Sequence, residues 1–125
     1  MNEKILAIGE LDEGGLIGYR IITTAQTIDI GIGKGQSCCE SFGYLTSEDD
    51  LKDFIGADLL EVVQVDTELN SIMLEKNRVS RYACIFINLN TSKGTLQFAV
   101  YNEHNGYYGH MVKVTSKQLT LRTDL

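Results

Sequence analysis

The chain has 125 residues, of which 43% are hydrophobic and 22% charged, with a formal net charge of −6. That composition fits one globular domain over residues 1–125 and excludes extensive disorder. With 11 basic against 17 acidic residues it also has too few cations for direct binding to nucleic acid.

No apolar run reaches the ~18 residues of a membrane-spanning helix. The acidic start, MNEKILAIGELDEGG, has no secretory pattern, so a cytosolic protein is expected. There is no proline, so glycine, Asn, Asp and Ser must make the turns. Ile5–Ile8 is a short apolar run, and Asp12-Glu13-Gly14-Gly15 reads as a turn. Leu16–Ala25 is rich in β-branched and aromatic residues and reads as a strand. Thr27–Ile32 alternates, with Ile28, Ile30 and Ile32 on one face, as a half-buried strand does. Gly33-Lys34-Gly35 turns the chain, and Ser37–Tyr44 reads as a further strand in which Gly43 allows a bulge.

The helix signal comes next. Ser47 stands as a cap, Glu48, Asp49 and Asp50 fill a first turn, and Leu51, Phe54 and Ile55 form an apolar stripe ended by Gly56. A short helix over about 47–55 is predicted. Leu59–Val65 is apolar on both faces, which predicts a central strand, and Leu69–Leu74 reads as its partner. Arg81–Asn90 and Thr95–Tyr101 flank Thr91-Ser92-Lys93-Gly94 as the arms of a hairpin. His110–Thr115 and Gln118–Thr123 close the chain as strands. The fold class is α+β with a β majority: a mostly antiparallel, twisted sheet or sheets of seven to nine strands and one short helix. Exposed strand edges from Thr95 to Thr115 point to a homodimer.

Charge and cysteines narrow the chemistry. From Glu40 to Glu75 there are ten acidic residues and one basic one, Lys52. Such a block is a solvated face or a surface for a basic partner. The three cysteines, Cys38, Cys39 and Cys84, are an odd number and are expected to be reduced thiols. Cys84 lies in an apolar run and reads as a small buried hydrophobe. Gly31-Ile-Gly33-Lys-Gly35 resembles a phosphate loop only superficially, because no helix follows it.

Two segments concentrate functional groups. The first, Gln36–Tyr44, holds Cys38, Cys39, Glu40 and Tyr44. Glu40 disfavours a thiolate and no nearby cation offsets it, so a nucleophilic cysteine is not expected. The second, Tyr101–His110, holds Asn102, Glu103, His104, Asn105, Tyr107, Tyr108 and His110 around an Asn105-Gly106 turn signal. Tyr and His rings stack on a base, and Asn reads its polar edge. Against a metal site, His104 and His110 would lie ~20 Å apart along an extended strand, at ~3.3 Å per residue, unless the turn brings them together. A Cys39–His hydrolase has no accompanying oxyanion signature.

The stretches Gly35–Tyr44 (GQSCCESFGY), Asp49–Leu59 (DDLKDFIGADL) and Tyr101–His110 (YNEHNGYYGH) together resemble a family of small proteins of unknown function carried by phages and prophages, over roughly Ile28 to Val114. The resemblance implies a compact β-rich domain expressed in a bacterial host's cytoplasm, and it carries no catalytic residue. The expected function is a non-enzymatic antagonist of host defence that sequesters a small nucleotide-type ligand, with no cofactor. Its expected binding residues are Cys38, Cys39, Glu40, Tyr44, Arg81, Asn102, His104, Asn105, Tyr107, Tyr108 and His110. Two alternatives stand beside it. One is an acidic protein–protein inhibitor of a host nucleic-acid-binding effector. The other is a metal protein or enzyme using Cys38, Cys39, His104 or His110.

Overall fold

A computed structural model of the chain describes residues 2–34, 41–103 and 109–125. Among the described residues, nine strands make two antiparallel sheets. The first sheet has the order β1 (Ile5–Glu13), β2 (Leu16–Thr23), β3 (Thr27–Gly33), β8 (Met111–Thr115) and β9 (Thr120–Asp124). The second has the order β4 (Ser41–Thr46), β7 (Gly94–Glu103), β6 (Cys84–Thr91) and β5 (Leu59–Val65). The β-majority expectation holds, and it follows from the alternation. Ile28, Ile30 and Ile32 of β3, with Val112 and Val114 of β8, turn their side chains toward Ile87, Leu89, Leu96, Phe98 and Val100 of β6 and β7. All of these are fully buried, so the core is the space between the sheets. The other face of the four-stranded sheet buries Phe86 and Ala99 under Leu74 and Val79, forming a second, smaller apolar cluster.

Hairpins set the register. Gly14 and Gly15 both take positive φ and connect β1 to β2 with Glu13 opposite Leu16, so β1 runs further than its apolar start suggests. Ser92-Lys93 connect β6 to β7, as the turn signal predicts. The bulge expected at Gly43 does not form. The β4–β7 register runs unbroken from Ser41 to Thr46, and a side chain on residue 43 would strike the Tyr101 hydroxyl at 2.9 Å.

Five other expectations are corrected. Residues 47–55 contain only a single 3₁₀ turn, Leu51–Phe54, capped by Asp50. Ser47 instead extends the β4 ladder: its N–H donates to the Gln97 carbonyl at 2.9 Å and its hydroxyl accepts from the Gln97 N–H at 3.0 Å. The α-helix is α1 (Ser71–Lys76), in the stretch expected to be a strand. Asn70 caps it by accepting from the Ile72 and Met73 N–H groups, and Leu74 is its buried anchor. β5 is an edge strand, not a central one. Its second apolar face is explained by Val65, which packs into the outer cluster. β7 is interior to its sheet and β8 lies between β3 and β9, so neither supplies the open edge from which a homodimer was expected. Arg81–Ala83 is a 3₁₀ turn, and its strand begins at Cys84. No helix among the described residues is long and apolar enough to cross a membrane.

Candidate functional site

Strand register places the ends of the two functional segments together. β3 ends at Gly33 and β8 begins at Met111, in the five-stranded sheet. β4 begins at Ser41 opposite Glu103, the last residue of β7, in the four-stranded sheet. The residues on either side of 35–40 and of 104–108 therefore share one end of the two-sheet stack.

His110 joins these ends. It is 4% exposed. Its main chain pairs with Leu125 in both directions, at 3.0 and 2.8 Å. Its ring lies flat on Phe42 of β4, with centroids 4.0 Å apart. Its Nδ1 is 2.5 Å from the Gly33 carbonyl oxygen. A carbonyl only accepts, so we assign the proton of that bond to Nδ1. His110 thus ties β3 to β4 through its ring and both to Leu125, beyond β9, through its main chain. Asn102 completes the arrangement: it is 3% exposed, lies opposite Phe42 in register, and donates from Nδ2 to the Leu125 main-chain oxygen at 2.8 Å. That oxygen accepts from both Asn102 and His110, which fixes the end of β7 to the end of the chain.

Tyr44 lies two residues beyond Phe42 on the same strand face. Its ring meets Tyr19 edge-on at 5.0 Å, and its hydroxyl reaches Glu10 at 3.4 Å. Burial, then the Glu10 charge, pushes its phenol above the usual range. Burial pushes the neighbouring Tyr19 phenol up to about 12.

Arg81 is also at this end of the four-stranded sheet, since Cys84 is opposite Tyr101 and the Ser80 N–H donates to the Glu103 carboxylate at 2.5 Å. Its own charge is engaged: Nε lies 3.4 Å from Glu68, and the guanidinium lies 5.7 Å from the Tyr82 ring centroid. Gln64, Asp66, Thr67, Arg81, Tyr82 and Cys84 border a cleft of about 440 Å³ here. The Cys84 thiol is only half-buried, not fully buried as expected. Burial, with Glu103 and Glu68 nearby, pushes it up to about 12, so it is a poor nucleophile at neutral pH.

The structure thus brings Asn102 and His110 together and places Tyr44 and Arg81 at the flanks of the same end. Cys38, Cys39, Glu40, His104, Asn105, Tyr107 and Tyr108, with the Asn105-Gly106 turn, lie outside the described residues. Phe42, Gly33 and Leu125 were missed by sequence reasoning. Only Phe42 carried a signal, its alternation with Tyr44. Among the described residues, no three His, Cys, Asp or Glu side chains converge as metal ligands.

Fold and rim define a two-sheet antiparallel β domain with both polar segments anchored at one end. The family described as Domain of unknown function (DUF7448) matches residues 8–114, and the chain belongs to it. No curated protein and no solved structure matches the chain.

Proposed function

We propose that this protein is phage-borne and acts by binding rather than catalysis, sequestering a small nucleotide-type ligand of a bacterial defence system at the end of the stack where both polar segments are anchored. The observation that supports this reading is the shared anchorage: Ser41 opposite Glu103, and His110 held between Phe42 and Gly33. This brings described residues of two segments rich in Tyr, His, Asn and Cys side by side, although 60 or more residues separate them in sequence. Tyr107 and Tyr108 stack the base, and Asn105 and His104 read its edge. Asn102 and His110, being buried, hold the floor. A sequestering protein needs affinity and abundance, not an activated nucleophile.

Calorimetry against cyclic dinucleotides, cyclic oligonucleotides and cyclic ADP-ribose species tests this. One class should bind, and a Tyr107→Ala, Tyr108→Ala variant should lose roughly tenfold or more in affinity, from ~1–3 kcal/mol per stacked base. Absence of binding to every class overturns the reading.

A specific observation also favours the acidic inhibitor. Glu48, Asp49, Asp50 and Asp53 are all solvent-facing, and none makes an ion pair among the described residues. On that reading a basic effector binds them, its affinity falls steeply with salt, and reversal of these four charges abolishes it.

A further inference from the structure

β5 is an outermost strand and its far side is open. Its first residue is covered, because the Leu59 N–H donates to the Glu3 carbonyl at 2.7 Å. From Leu60 to Val65 no main-chain bond to anything but β6 is made among the described residues. Soluble proteins guard such edges with lysine, proline, a bulge or a cover. β5 has a bulge at its covered start, between Leu59 and Glu61, and beyond it a single charged side chain, Glu61, which opposes an acidic strand but not a basic one. The open stretch reads Leu-Glu-Val-Val-Gln-Val, without proline or a cation, and Leu60 is 67% exposed.

The other edges are better protected. β1 is capped at its start by Ala57 and Gly56 and carries Glu10, Asp12 and Glu13 further on. β9 is only five residues long and carries Arg122 and Asp124. β4 is six residues long, and its Tyr44 reaches Tyr19 of β2 and Glu10 of β1.

We propose that the open edge of β5, Glu61 to Val65, docks an extended basic segment of a partner protein by strand addition. Charge selects the occupant. Nine acidic residues and one basic residue lie between Glu48 and Glu75. Glu61 and Asp66 mark the two ends of the open edge. A second copy of this chain would bring the same acidic ends together, and each copy carries −6. Main-chain bonds to the edge supply affinity, and alternate side chains supply specificity.

The end of the edge is shaped for a long cationic side chain. The open side at Gln64, Val65 and Asp66 borders a cleft of about 380 Å³, next to the 440 Å³ cleft between Asp66, Thr67 and Arg81–Ile85. Tyr82, a residue 89% exposed, stands in that second cleft. A lysine or arginine stem lies along this ring while its head reaches Asp66.

This edge meets the proposed ligand end only at the Arg81 cleft, and Tyr107 and Tyr108 take no part in strand addition, so variants at those tyrosines and along Leu60–Asp66 test the two readings apart. The probe is a synthetic peptide of alternating lysine and valine, titrated into the full chain. Main-chain amide exchange should slow on Glu61–Val65 and not along β1, β4 or β9. The same peptide, N-methylated at consecutive residues through its centre, should bind about tenfold more weakly or worse, because its edge donors are gone. Leu60→Lys with Glu61→Lys should weaken the unmodified peptide by about tenfold, and so should Asp66→Lys alone, in case the double variant does not fold. The Tyr107→Ala, Tyr108→Ala variant should bind the peptide as the natural chain does. Equal binding of the N-methylated peptide, protection on another edge, no binding, or sedimentation as a dimer with β5 protected would each overturn the proposal.

Discussion

At Gly18 the chain has no room for a side chain. The residue has φ +155° on β2, and an added Cβ would fall 2.0 Å from the Ile30 carbonyl oxygen of β3. Its cross-strand neighbour is Gly31, over which Leu11 folds from β1 and becomes 3% exposed. Gly18→Ala should therefore cost about 2–4 kcal/mol by forcing β2 from β3, read as a lowered urea midpoint with an unchanged slope. An unchanged midpoint would show that the strands separate there at no cost. In the sequence Gly18 is simply one residue of the Leu16–Ala25 strand pattern. Its tight backbone approach depends on Ile30, twelve residues away. His110 is similar. Its residue type made it a site candidate, but its place between Phe42, Gly33 and Leu125 needed four strand ends to meet.

At the scale of elements, the strap from Asp66 to Asn70 is held on the outer face by Gln97. This side chain is 4% exposed. It accepts from the Leu69 N–H at 2.8 Å and donates to the Thr67 carbonyl at 3.0 Å and the Asn88 side chain at 2.9 Å. Removing it strands three partners, each worth ~1–3 kcal/mol if left buried and unpaired. Gln97→Leu should cost about 2–4 kcal/mol after water reaches some of them, and should speed amide exchange at residues 66–76 before the core strands. Uniform acceleration throughout would mean that the strap has no stability of its own. This network also explains why Leu69–Leu74 misleads as a strand. Its apolar residues suit an edge, but β5 keeps its far side open, and Asn70 starts a helix whose Leu74 reaches the outer cluster. Likewise Ser47 looks like a cap, yet its hydrogen bonds are already committed to Gln97.

At the scale of the molecule, burial of weak acids sets the alkaline limit. Burial raises the Tyr19 phenol from 10.0 to about 12 and, with Glu103 and Glu68, the Cys84 thiol from 9.0 to about 12. Both groups hold their protons to higher pH in the fold than in the unfolded chain. Their contribution is complete below about pH 9 and is lost as pH rises through about 12. Stability measured by urea titration should be level to pH 9 and then decline, and Cys84→Ala should flatten the earlier part of that decline. A stability that rises above pH 9 would reverse the assignment. Acid acts through Glu3. Burial opposes its charge, but hydrogen bonds from Thr23, Gln26 and Gln118 outweigh it and lower its pKa, so its contribution is present above the ordinary carboxylate range and lost below it.

What the sequence by itself determined was which residues are buried and where the chain reverses. Alternation in Thr27–Ile32 and the turns at Gly14-Gly15 and Ser92-Lys93 are local, because side chains alternate every residue and a two-residue turn needs its own φ values. Membership of the DUF7448 family, too, follows from the sequence, over residues 8–114. Only the tertiary structure decided what each buried face packs against: that Leu59–Val65 is an edge, that Thr95–Tyr101 is interior, that residues 71–76 are helical, and that Asn102 and His110 share one oxygen of Leu125. The physical reason is that a period specifies a face but not its partner, and the partner is chosen by contacts between residues far apart in the chain.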